Sequence, residues 1–192
     1  ALTISTNNGS SYIVSVSTYD GLSFYRQGYK VLQKYTFKGG ISYTLYGLSN
    51  NKHYKLIFDL RIGSTAGRIY LKFSGVKSLY FWALFAHNHS GGSKAVGGSN
   101  ATSIPISYAN SMANSHIKCE FSFSSKDWGD GTYRVWGQGQ STHYRHDSYL
   151  EHNIFSGGLN LSSADNTLSS IQILTDSDNL YGHVYLLQEI YE

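Results

Sequence analysis

The chain has 192 residues, of which 41% are hydrophobic, 15% aromatic and only 14% charged, with a formal net charge of +3. That apolar content excludes a disordered chain, the scattered single basic residues exclude an electrostatic nucleic-acid binder, and no run approaches the roughly 18 consecutive apolar residues of a membrane-spanning helix. With 17 Tyr, 20 Gly and one Pro, and with polarity carried mainly by Ser, Thr and Asn, the composition favours strands over helices and suits an extracellular or virion β-protein. No linker or charge block divides the chain, so a single domain over 1–192 is expected, with residues 1–20 as a candidate N-terminal arm.

Period-two alternation is the dominant signal along the chain. In "YIVSVS", Tyr12, Val14 and Val16 share a face. In "HYKLIFDLRI", Tyr54, Leu56, Phe58, Leu60 and Ile62 point one way, while His53, Lys55, Asp59 and Arg61 point the other, which defines a strand with one buried and one wet face. "RIYLKFS" repeats the pattern with Ile69, Leu71 and Phe73 inward. The apolar run "FWALFAHNHSGGSKAVGGSNAT" then breaks into histidine, glycine and serine, and residues 87–103 read as a long exposed loop. "ISYANSMANSHI" is the one helical candidate, and its Ser and Asn content speaks against it.

In "HIKCEFSFS", the single cysteine, Cys119, falls in phase with Ile117, Phe121 and Phe123, as a small core residue would. "KDWGDGTYRVWGQGQSTHYRHDSY" follows, with Asp130-Gly131 suited to a type I′ hairpin turn. Alternation there places Tyr133 and Val135 inward, and Arg134 and Trp136 outward. "LSSIQILT" and "GHVYLLQEI" read as two last strands joined by a turn at residues 176–179. About a dozen short strands with evenly spaced turns make an all-β sandwich.

Two segments carry a family resemblance. "LYGLSNNKHYKLIFDLRIGSTAGRIYLKFSG" and "LSSIQILTDSDNLYGHVYLLQEI" resemble jelly-roll β-sandwich domains of bacteriophage tail fibres and other virion surface proteins. The resemblance covers roughly residues 41–74 and 150–190, and its motifs are structural rather than catalytic. It implies an antiparallel jelly-roll-like sandwich at the virion surface, a homo-oligomer such as a trimer, and neighbouring virion subunits as partners. It carries over no site residue.

Candidate chemistry is sparse. Contiguous His87-Asn88-His89 is no mark of the HNH nucleases, whose catalytic residues are dispersed over a ββα metal fold. On a strand, His87 and His89 would share a face and could hold one metal if His143, His146 or Asp147 supplied another ligand. Neither a metal nor any other cofactor is expected, and these two histidines are the residues to follow. No carboxylate pair, nucleophile motif or phosphate-binding glycine loop stands out, so an enzyme is not expected. The aromatic and polar residues Trp128, Asp130, Trp136, Tyr144 and Arg145 are instead the candidate ligand-binding set. Aromatic faces suit the C–H faces of a sugar, and carboxylate, amide and guanidinium groups suit its hydroxyls. The expectation is a non-enzymatic phage tail-fibre or receptor-binding protein that recognises a bacterial surface glycan. The alternatives are a capsid decoration or tail-assembly protein without a host ligand, and a free lectin or carbohydrate-binding module.

Overall fold

The structure, a computed structural model, describes residues 2–7, 11–19, 24–64, 66–74, 79–108, 114–127, 129, 132–144, 149–161, 167–176 and 179–191, with side chains from Gly28 onward and up to Ile190. Among the described residues there are strands and no helix. In chain order they are β1 (Leu2–Asn7), β2 (Ser11–Tyr19), β3 (Phe24–Lys38), β4 (Ser42–Tyr46), β5 (His53–Ile62), β6 (Ile69–Phe73) and β7 (Tyr80–Asn88). There follow β8 (Ser93–Ala101), β9 (Ile104–Pro105), β10 (His116–Asp127), β11 (Tyr133–Tyr144), β12 (Leu150–Asn160), β13 (Ser170–Thr175) and β14 (Leu180–Tyr191).

Every pairing is antiparallel. The larger sheet runs β1-β2-β3-β14-β5-β10-β11-β12-β7-β8, and the smaller runs β4-β13-β6-β9. The expected all-β antiparallel sandwich is therefore present. The jelly-roll refinement does not follow from this strand order. The sheets are unequal, and the larger one contains the uninterrupted meander β10-β11-β12, where a jelly roll divides eight strands between two Greek keys.

The alternation seen in the sequence decides which face is buried. On β5, Tyr54, Leu56, Phe58, Leu60 and Ile62 are all buried, and β6 buries Ile69, Leu71 and Phe73 against them from the other sheet. Cys119 joins Ile117, Phe121 and Phe123 on the inner face of β10. Burial, with Glu120 beside it, pushes its thiol well above the usual range, so it is a packing group rather than a nucleophile. Phe73 of the small sheet sits 5.2 Å from Phe123 and 6.3 Å from Phe121, centroid to centroid. These rings lock the two layers together.

Two expectations change. Residues 93–101 form β8, an edge strand paired with β7 from His87↔Ser93 to Tyr80↔Ala101, and the loop before it shrinks to a turn at 89–92. The strand escaped notice because an edge strand needs only one hydrogen-bonded partner, and with neither face deeply buried it shows no period-two signal. The two last strands do not form a hairpin. β13 lies in the small sheet and β14 in the large one, so the chain changes layer between them. Asp176, just past β13, is held to the small sheet, accepting hydrogen bonds from the Arg68 N–H (2.8 Å) and the Tyr70 hydroxyl (2.9 Å).

Candidate functional site

The site lies on the outer face of the larger sheet. Strand register sets it out in rows. One row reads Tyr29, Glu189, His53, Ser124, Trp136, Gly158, Phe81 across β3, β14, β5, β10, β11, β12 and β7. The next row, two residues along, includes Lys55, Ser122, Gln138, Ser156 and Ala83. Between these rows lies an open groove of about 470 Å³.

Trp136 stands outward on β11 with 40% of its surface exposed, and Phe81 stands outward on β7 with 45% exposed. β12 passes between them and contributes Gly158. No larger residue fits there, because a Cβ on Gly158 would lie 2.0 Å from the Val135 carbonyl oxygen. The missing side chain leaves a slot between two aromatic rings that stand two strand spacings apart, about 9–10 Å at the backbone. Ser122, Gln138 and Ser156 edge it with hydroxyls and an amide. The slot thus offers apolar faces beside hydrogen-bonding groups of both senses.

The charged side chains of this face gather on the other strands, where they partner one another. Lys55 forms an ion pair with Glu120, and Lys118 lies 3.6 Å from Asp59. Lys55 also sits over the Tyr29 ring, Lys34 over Tyr185 and Arg61 over Tyr181, at 4.7–5.3 Å, within cation–π range. Among the described residues, two of the three carboxylates on this outer face, Asp59 and Glu120, are paired with lysines; the third, Glu189, lines the groove.

The structure divides the residues singled out in the sequence. Trp136 lines the groove. Tyr144 stands on the same face of β11 but eight residues away, roughly 27 Å along an extended strand, and does not share the slot. Trp128, Asp130 and Arg145 lie outside the described residues, as do His146 and Asp147 and the Asp130-Gly131 turn.

His87 and His89 are held by local contacts. The His87 Nδ1 is 2.9 Å from the Ser93 hydroxyl. The His89 ring packs edge-on against Tyr149 at 5.5 Å and accepts from the Leu150 N–H at 3.4 Å. His143, a candidate further ligand, is buried on the inner face, in register with the buried Glu151, so it cannot meet His87 on the outer face. Among the described residues no group of three or more His, Cys, Asp or Glu side chains could hold a metal ion.

Sequence reasoning missed Phe81, Gly158, Ser122, Ser156 and the more distant His53 and Glu189. Phe81 escaped because β7 is apolar on both faces, so alternation does not mark its outward side chains. The groove is assembled from strands more than 150 residues apart in the chain, and only the register brings them together.

The molecule is thus an antiparallel β-sandwich with an open, aromatic-flanked groove on its larger sheet. Comparison with known protein families, curated proteins and solved structures finds no match.

Proposed function

We propose that the chain is a non-enzymatic recognition protein that binds a glycan across the outer face of its larger sheet. We place it on the surface of a bacteriophage virion, as a tail-fibre or receptor-binding component whose ligand is a bacterial surface glycan. The observation that carries the glycan reading is the slot between Trp136 and Phe81 over Gly158, edged by Ser122, Gln138 and Ser156. A sugar ring placed there stacks its C–H face on an aromatic ring and turns its hydroxyls to the serines and the amide. A rigid sheet supplies this arrangement without ordering a loop, which lowers the entropic cost of binding. The lysine pairing of Asp59 and Glu120 supports binding over hydrolysis, since glycoside cleavage requires two carboxylates placed across the bond. The virion setting rests on the resemblance of the segments at 41–74 and 150–190. Several copies on one particle would convert a weak single site into useful avidity.

The test is titration calorimetry of the protein against a panel of bacterial surface polysaccharides and their oligosaccharides. Binding is expected, and Trp136→Ala is expected to weaken it about five- to tenfold, the loss of one stacking contact of roughly 1–1.5 kcal/mol. A panel without a single binder, or binding that both Trp136→Ala and Phe81→Ala leave intact, overturns the glycan site. Product release from any polysaccharide overturns the non-enzymatic reading.

A further inference from the structure

The outer face of the larger sheet has two unlike halves. On β3, β14, β5 and β10 it carries the paired lysines, arginine and carboxylates described above. On β11, β12, β7 and β8, from the Trp136 row to the Tyr144 row, it carries no Lys, Arg, Asp or Glu. Large apolar side chains stand there in register. Ile154 (56% exposed) lies opposite Phe85 (47%), and Leu150 (42%) lies opposite Tyr144 (51%). These two pairs lie beyond the groove, one and three rows past the Gln138 row.

We infer that the part of this uncharged half-face beyond the groove, from the Gln140 row to the Tyr144 row, is where a second copy of the chain docks. Size is the first argument. Taking about 200 Å² for a large side chain when fully exposed, the four residues present roughly 400 Å² of apolar surface, the size of the largest patch on ordinary monomers, which is often functional. A stable pair buries about 800 Å² on each partner, somewhat over half of it apolar. Ala95 and Gln140 of the first pair's row, and Thr142, His152 and His87 of the row between the two pairs, add polar and apolar area toward the remainder.

Composition is the second argument. Interface centres are depleted of charge, and this half-face carries no charged side chain while its neighbour does. Self-complementarity is the third. A partner chosen by charge would find nothing to pair with here. A second copy brings the same neutral, apolar rows across a two-fold axis, the commonest symmetry of soluble oligomers. The inference is independent of the glycan reading, because the four side chains lie outside the slot.

Light scattering after size exclusion, and sedimentation, over about 1–300 µM of the 192-residue chain read the outcome. A concentration-dependent assembly is expected. Ile154→Lys and Phe85→Lys, which set like charges against each other across the axis, are each expected to weaken it at least tenfold. Ile41→Lys, at an exposed apolar residue in the turn between β3 and β4, should leave it unchanged. Circular dichroism checks that each variant folds; should one not fold, Gln140→Lys replaces it, since an exposed glutamine contributes little to the core. A monomer at every concentration overturns the inference. So does an assembly that both patch variants leave intact, or one that Ile41→Lys weakens equally.

Discussion

Among single residues, Tyr80 ties the two layers together by polar as well as apolar contact. Its hydroxyl, on β7, accepts from the Phe73 N–H at 2.7 Å and donates to the Phe73 carbonyl at 3.2 Å on β6 of the other sheet. A hydroxyl this deep must be satisfied, and the β6 backbone satisfies it. Burial pushes its pKa up to about 12, from about 10 in the unfolded chain. The unfolded state therefore loses its proton first. Stability from this group is complete below pH 10 and is lost as pH rises from 10 through 12, by about 2–3 kcal/mol in all. Tyr80→Phe is expected to cost about 1–3 kcal/mol at neutral pH, since it strips the Phe73 backbone groups of a partner. It should also flatten the alkaline decline. Urea midpoints at pH 8, 10 and 11 measure both effects. The Tyr70 hydroxyl, pushed the same way chiefly by burial and then by its bond to Asp176, leaves some slope in the variant. A variant as steep as the parent would place the alkaline sensitivity elsewhere.

Among elements, β11 shows how a strand can stabilise a core by omission. Its inner positions run Val135, Gly137, Gly139, Ser141, His143. Gly139 lies in register between Phe121 on one side and Phe155 on the other, and those rings stack above it at 5.4 Å with 13° between their planes. A Cβ at Gly139 would approach the Glu120 carbonyl oxygen to 2.4 Å and the Phe121 Cα to 3.0 Å, so the backbone itself would have to move. Gly139→Ala is expected to destabilise by about 1–3 kcal/mol through overpacking, whereas Gln140→Ala, facing solvent on the same strand, should stay within about 0.5 kcal/mol. Chemical denaturation of the pair separates these outcomes. The alternation that marks β5, β6 and β10 was legible because one face of each is wet. It also set Trp136 outward on β11, since Val135 beside it had to be inward. β8 was not legible. Its Gly, Ser and Lys residues meet solvent on both sides, so the hydrogen bonds to β7 that make it a strand leave no imprint on the choice of side chains.

At the scale of the molecule, the two sheets bury their apolar faces in one shared core. Ile69, Leu71 and Phe73 of β6, Ile171 and Ile173 of β13, and Phe121 and Phe123 of β10 all belong to it, and Phe73 meets Phe121 and Phe123 across the layers. The sequence told which residues face inward, but not that the chain changes layer between β13 and β14, because a turn of Ser, Asp and Asn serves a hairpin and an arch equally well. That change of layer places β14 between β3 and β5, and β13 between β4 and β6, so the C-terminal strands close both sheets and neither is complete until the last strands are in place. The two layers should therefore open as one cooperative unit. In native-state hydrogen exchange, the most protected amides of β13 and of β10 are expected to share one opening free energy. Phe73→Ala, which removes the ring packed against Phe121 and Phe123, should lower both by the same amount, about 3–5 kcal/mol. A drop confined to β13 would mean that the smaller sheet opens by itself, and that the larger sheet, with its groove and its uncharged half-face, stands without the layer beneath it.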